Sequence, residues 1–235
     1  YEAYLEQLKS NIDSIHQSYI NSVKKLCVND EQLPQQLYPK CIYLPIGQAK
    51  GAIKYVFEKS FQFYKDDSLF QQQFNEIVKY ASLLDAPYLL KLQCGNHVVL
   101  NQLDELVIDI LRYISMCYRP QDVVICCLVD VKDFIHFSWL KKIPHIYHNG
   151  SRCISSSIQD LNAKTQNFIG IKVLFNFTNH NLSEFKEWIT FDTIEHYHVT
   201  HSLRREGDSV IVCNHELKTV HRCKDFYKFI KVDIQ

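Results

Sequence analysis

Asp122-Val-Val-Ile-Cys-Cys-Leu-Val-Asp130 is the stretch that decides the fold. An unbroken apolar run with an aspartate at each end fits a strand covered on both faces, because a face open to water would need a polar residue at every second position. The segment is therefore expected at the centre of a mixed sheet with flanking helices. The fold class that follows is α+β or α/β.

Reading outward toward the N-terminus, a helix is expected from about Leu103, with Leu106, Val107, Ile110, Leu111 and Ile114 on one face and an end before Pro120. Tyr88 to Cys94 and His97 to Asn101 flank Gly95-Asn96, which supplies the positive φ of a two-residue turn, so a hairpin is expected. Ser68 followed by Gln71 is a capping-box pattern, and Phe70, Phe74, Ile77, Val78, Ala81 and Leu84 form an apolar stripe that stops before Pro87. Cys41 to Ile46 reads as a short strand, with Gly47 to Gly51 as a loop and a helix through Glu58. That layout suits a phosphate-binding turn, but no glycine-lysine-serine/threonine ending and no third glycine are present, so a plain loop is expected.

Toward the C-terminus, Asp130 and Asp133, with His136 nearby, would stand at the carboxyl end of the strand, where open α/β sheets place their sites. They could hold magnesium. The preferred reading is that Asp130 ends the strand and Asp133 caps a helix carrying Phe134, Phe137 and Leu140. Pro144 to Ser157 is polar and irregular, a mobile loop or a domain boundary. Asn167 to Phe177 supplies a second long strand, and Ser183 is expected to open a short helix with Phe185, Trp188 and Ile189 on its apolar side.

Residues 2 to 27 read as one amphipathic helix with a heptad seam of Leu5, Leu8, Ile12, Ile15, Tyr19, Ser22 and Leu26. Two readings stay open: the helix lies on its own domain, or its seam meets another chain. Residues 1–30 are thus set apart as a coiled-coil-like helix before one α/β domain over 31–235, with a possible subdivision near 144–157. If a partner protein is met, the contacts expected are Leu5, Leu8, Ile12, Ile15, Tyr19 and Leu26.

Thr193 to Cys223 holds five histidines and two cysteines. With Gly207-Asp208 as a two-residue turn, residues 206 and 209, 204 and 211, and 202 and 213 pair in a C-terminal hairpin. Leu203, Val210 and Val212 then face the core, with Tyr197 and Val199, while His196, His198, Thr200, Ser202, Arg204, Cys213 and His215 face away. A further turn through Glu216 to Val220 would bring Cys213 opposite Cys223 and His215 opposite His221, ligands of the kind zinc prefers. Four ligands from one flat ladder make a poor tetrahedron, so solvated histidines and free thiols are the preferred reading. Arg204, Arg205, Arg222, Lys224 and Lys228, near Phe226, Tyr227 and Phe229, form a basic and aromatic segment suited to nucleic acid, diluted by Glu206, Asp208, Glu216, Asp225 and Asp233.

Composition narrows the classes. In 235 residues, 26 basic side chains balance 26 acidic ones, so no overall field favours nucleic acid or an anionic membrane. No apolar run approaches the ~18–20 residues that cross a bilayer. The nine cysteines have no framework spacing, which favours a reducing compartment, cytoplasmic or nuclear, over the secretory context in which the sequons at Asn149, Asn176 and Asn181 would matter. Because the first residue is Tyr1, the chain is expected to be a piece of something longer. No serine lies in a nucleophile elbow, and no cofactor is expected, zinc at the histidine and cysteine face being the alternative. The expected function is a non-enzymatic interaction or scaffold subunit of an intracellular complex, with a nucleic-acid module and a zinc domain or metal-dependent enzyme as alternatives.

Overall fold

A computed structural model describes residues 2–27, 40–55, 68–101, 104–178, 180, 182, 185–193 and 198–224. The chain runs α1 (Glu2–Cys27), β1 (Cys41–Lys50), α2 (Ser68–Leu83), β2 (Asp85–Gln93), β3 (His97–Leu100), α3 (Asp104–Cys117) and β4 (Val123–Leu128). Short strands β5 (Tyr147–His148), β6 (Ser151–Arg152) and β7 (Ile154–Ser155) lead to α4 (Ile158–Thr165). Then follow β8 (Ile171–Asn176), β9 (Trp188–Asp192), β10 (His201–Glu206), β11 (Ser209–Asn214) and β12 (Thr219–Lys224). It is a mixed α+β fold built on one ten-stranded sheet, in the order β2-β1-β12-β11-β10-β3-β9-β8-β4-β7.

Half of that sheet is parallel and half antiparallel. Strands β10, β3, β9, β8, β4 and β7 pair parallel in succession, whereas β2, β1, β12, β11 and β10 pair antiparallel. As the apolar run requires, β4 is covered on both sides. Val123, Ile125 and Cys127 join the main core with α3, while Val124, Cys126 and Leu128 pack with Leu161 of α4. It does not occupy the sheet centre, since only the two-residue β7 lies beyond it.

The expected hairpin of β2 and β3 is corrected. Both strands form, but β2 pairs with β1, and β3 with β9 and β10. Four strands separate them in the sheet, a distance of about 24 Å if the sheet were flat. Cys94 to Asn96 can bridge only about 14 Å, so the antiparallel half curls back on itself. The Gly95 amide donates to the Trp188 carbonyl at 2.9 Å, which fixes the corner against β9. Inside the curl lies α3, with Leu106, Val107, Ile110, Leu111, Tyr113 and Ile114 all buried. The Tyr43 amide donates to the Tyr118 hydroxyl at 2.8 Å, tying the end of that helix to β1.

Gly47 explains why β1 continues where a loop is expected. The strand passes through it to Lys50 with a register shift between Pro45 and Gly47. Gly47 has φ 143°, and any Cβ there would overlap the Lys224 carbonyl of β12. The glycine serves close strand approach rather than a turn. The helix expected to run to Glu58 lies outside the described residues beyond Tyr55.

Other local readings change for identifiable reasons. Trp188-Ile-Thr-Phe-Asp192, rich in aromatic and β-branched side chains, forms buried β9 between β8 and β3 instead of a short helix. The α-helix expected directly after β4 does not form. The chain takes 3-10 turns at Val131–Asp133, Ser138–Lys142 and Pro144–Ile146, and Asp133 sits inside the first of these instead of capping a helix. The 144–157 segment is structured: Asn149 and Gly150, both at positive φ, join β5 to β6, and His145, Ile146 and Cys153 are buried.

The N-terminal helix lies on its own chain. Leu5, Ile12, His16 and Val23 are buried, a stripe turned partly off the heptad seam toward β2 and α2. The Tyr19 hydroxyl donates to the Pro87 carbonyl of edge strand β2 at 2.8 Å, and the Tyr80 hydroxyl of α2 donates to Asp13 at 2.7 Å. Leu8 is half-buried and Ser22 exposed, whereas Ile15 is 52 % exposed. The side chain of Leu26 lies outside the described residues.

Candidate functional site

Beyond the carboxyl end of β4 the chain leaves the sheet and exposes a cluster of large apolar side chains. Val131 is 70 % and Ile135 75 % exposed, and Phe134 between them is also open to solvent. Two neighbours hold this surface in place. Phe137 packs tilted against Phe177 at 4.4 Å between ring centroids, and Phe175 stacks on Phe191 at 4.7 Å, so an aromatic ladder anchors the turns to β8 and β9. Keeping a Val, Ile or Phe in water forgoes about 1.5–3 kcal/mol each, and such side chains grouped at a surface mark interaction sites. Asp130 pairs with Lys132 at 3.8 Å, and no group of three or more metal-capable side chains occurs among the described residues.

A second feature is polar. At the opposite, amino end of β3 opens a cleft of about 670 Å³ whose lining includes Cys94, His97, Lys186, His198, His215 and Glu216. Behind it runs a hydrogen-bonded chain. The Thr200 hydroxyl donates to the His97 carbonyl at 3.0 Å, and Asn214 donates to His201 Nε2 at 3.0 Å. Having given its one proton away, Thr200 Oγ1 accepts from His201 Nδ1 at 2.9 Å, which fixes the neutral tautomer. Burial holds His201 below the ordinary imidazole range, only partly offset by Glu216. Desolvation pushes the Cys94 thiol up, which disfavours a thiolate nucleophile.

The hairpin register expected for residues 202–213 is the one observed: Glu206 faces Ser209, Arg204 faces Ile211 and Ser202 faces Cys213. Leu203, Val210 and Val212 are buried as expected. The next turn is tighter than expected. Asn214 pairs with Thr219, Cys213 with Val220, Val212 with His221 and Val210 with Cys223. This odd-numbered shift puts Cys223 in the core and Cys213 on the opposite face. His221 packs tilted against Tyr88 at 4.6 Å between ring centroids, and His215 bonds Ser202 at 3.0 Å. The four residues weighed as zinc ligands are therefore not brought together.

The basic residues are partly neutralised. Glu206 bonds both Arg204 and Arg222, the latter at 2.7 Å, and the Arg205 Nε donates to the Gly207 carbonyl at 3.3 Å. Lys224 ends β12 in an exposed position, and Lys228 lies outside the described residues. The Val131 cluster is not legible in the sequence because Phe134 reads there as part of a helix with Phe137 and Leu140, and His97 and Lys186 are not because the cleft unites segments far apart in the chain. Among the described residues no helix is long and apolar enough to cross a membrane. No protein-family model matches the chain, and no curated protein matches it in sequence.

Proposed function

We propose that this chain is a non-enzymatic interaction subunit of a multiprotein assembly and meets its protein partner through Val131, Phe134 and Ile135. The observation that carries this reading is the exposure of three large apolar side chains within one short turn whose base is anchored by Phe137 on Phe177. The seam of α1 is a weaker support, since Leu5 and Ile12 are covered by the same chain. An intracellular setting, cytoplasmic or nuclear, belongs to the same proposal: the described cysteines are free thiols, and the sequon residue Asn176 is 1 % exposed, out of reach of a glycan.

The test is site-specific photocrosslinking in the source cell. A photoreactive residue at 135 should give a discrete adduct that V131D removes, while one at Ile169, 78 % exposed, should not. V131D should leave the melting temperature within about 2 °C, because exposed substitutions rarely exceed about ±0.5 kcal/mol. Equal adducts at both positions, or none at 135, overturn the reading.

A further inference from the structure

Cys126 of β4 sits beside Cys153, the residue just before the neighbouring parallel strand β7. The β4–β7 ladder pairs Cys127 with Ile154 and Leu128 with Ser155, so one step earlier it sets Cys126 beside Cys153. The Cys127 amide donates to the Cys153 carbonyl at 3.0 Å, which fixes that level. Both thiols belong to the apolar cluster under α4 with Val124, Leu128 and Leu161. Adjacent strands lie about 4.8 Å apart, inside the roughly 4.4–6.8 Å Cα separation that a disulfide spans. Cys127 is equally buried on the same strand but belongs to the cluster on the other face.

We infer that Cys126 and Cys153 form a modification site, a dithiol that a peroxide-class oxidant converts to a cross-strand disulfide. The Cys153 sulfur attacks one oxygen of hydrogen peroxide, the O–O bond breaks, and the departing hydroxide takes up the Cys153 proton as water. Cys153 is left as a sulfenic acid. The Cys126 sulfur then attacks the Cys153 sulfur, the S–O bond breaks, and a second water leaves with the Cys126 proton. Two thiols have lost two electrons, and one peroxide has become two waters.

The surroundings assign the roles. A hydrogen bond from Cys126 holds the Cys153 thiol below its ordinary pKa, with Lys164 assisting against burial, while burial keeps Cys126 protonated. Access is through the sheet edge. Strand β7 is the last strand and has two residues, so few ladder bonds must open to admit a molecule the size of water. The bond would tie this edge to β4, just ahead of Ser157, whose hydroxyl caps α4.

The experiment uses the full chain. Exposed thiols are blocked with a maleimide, the protein is treated with hydrogen peroxide, and remaining thiols are labelled with a heavy maleimide after unfolding. Peptide mapping should show Cys126 linked to Cys153 with a loss of about 2 Da for the two hydrogens, and Cys127 labelled. C127A should keep the link, and C126A should lose it. The reaction is repeated in urea below the unfolding midpoint, where the edge opens. Free Cys126 and Cys153 under both conditions, or a Cys126–Cys127 link, overturns the inference.

Discussion

In β4 every side chain is buried, whereas in β10 burial alternates, with His201 and Leu203 inside and Arg204 outside. The two strands belong to the two halves of one sheet. The parallel half is covered on both faces, by α3 on one side and α4 on the other, so β4 carries no polar side chain, while the buried Asn176 of β8 and Asp192 of β9 are admitted as a hydrogen-bonded pair. The antiparallel half curls around α3, so its inner face is core and its outer face carries Arg204, Cys213 and Arg222. Curling needs close strand contacts and the double cover needs apolar content, so the halves should fail in different ways.

The largest effect is expected at Gly47, where the curl closes. Gly47→Val adds roughly 2 kcal/mol of backbone strain to about 3 kcal/mol of overpacking against Lys224, so the chain should unfold near room temperature or lose β12 from the sheet. A melting curve with a normal midpoint would show that the approach of β1 and β12 does not hold the curl. Next comes the parallel half. Ile125→Ala deletes a fully buried side chain and should cost about 3–4 kcal/mol, whereas Val220→Ala, 67 % exposed on the antiparallel outer face, should cost almost nothing. Similar losses in denaturant titrations would mean that the outer face is covered.

Acid should weaken both halves, with a sign set by burial. Burial holds His145, His201 and His221 below the ordinary imidazole value, the first despite a hydrogen bond to the Tyr118 carbonyl. In the unfolded chain these groups take up protons near pH 6.5, so between that value and their folded pKa values the unfolded state holds more protons. Their contribution is complete above about pH 6.5 and is lost as pH falls through the folded values. Melting temperature should therefore drop between pH 7 and pH 5, and His145→Gln should flatten the drop. A midpoint independent of pH in wild type would mean that these rings reach water.

The smallest effect is expected at the half-buried Glu206. Glu206→Gln releases Arg204 and Arg222, should change stability by no more than about 0.5 kcal/mol, and should strengthen salt-sensitive binding of a DNA oligonucleotide if that face contacts phosphates. Affinity unchanged by both the substitution and the salt concentration would leave this face without a nucleic-acid role.

What the sequence determined by itself was whatever depends on local period and turn chemistry. The double cover of β4 is written in an uninterrupted apolar run, the burial of α3 in residues 106–114, and the register of β10 with β11 in Gly207-Asp208. In each case the deciding pattern lies within about a dozen residues of sequence. Tertiary structure alone decided the rest. Nothing in Tyr88 to Asn101 announces that β2 and β3 will part around a curled sheet, because Gly95-Asn96 permits a hairpin and a corner equally. The stripe of α1 is legible, but not the surface that covers it. The seating of Cys126 beside Cys153, the cleft uniting His97 with His215, and the separation of Cys213 from Cys223 all follow from strand pairing. Pairing between distant segments is set by the summed fit of both faces of the sheet, a quantity that no local window contains.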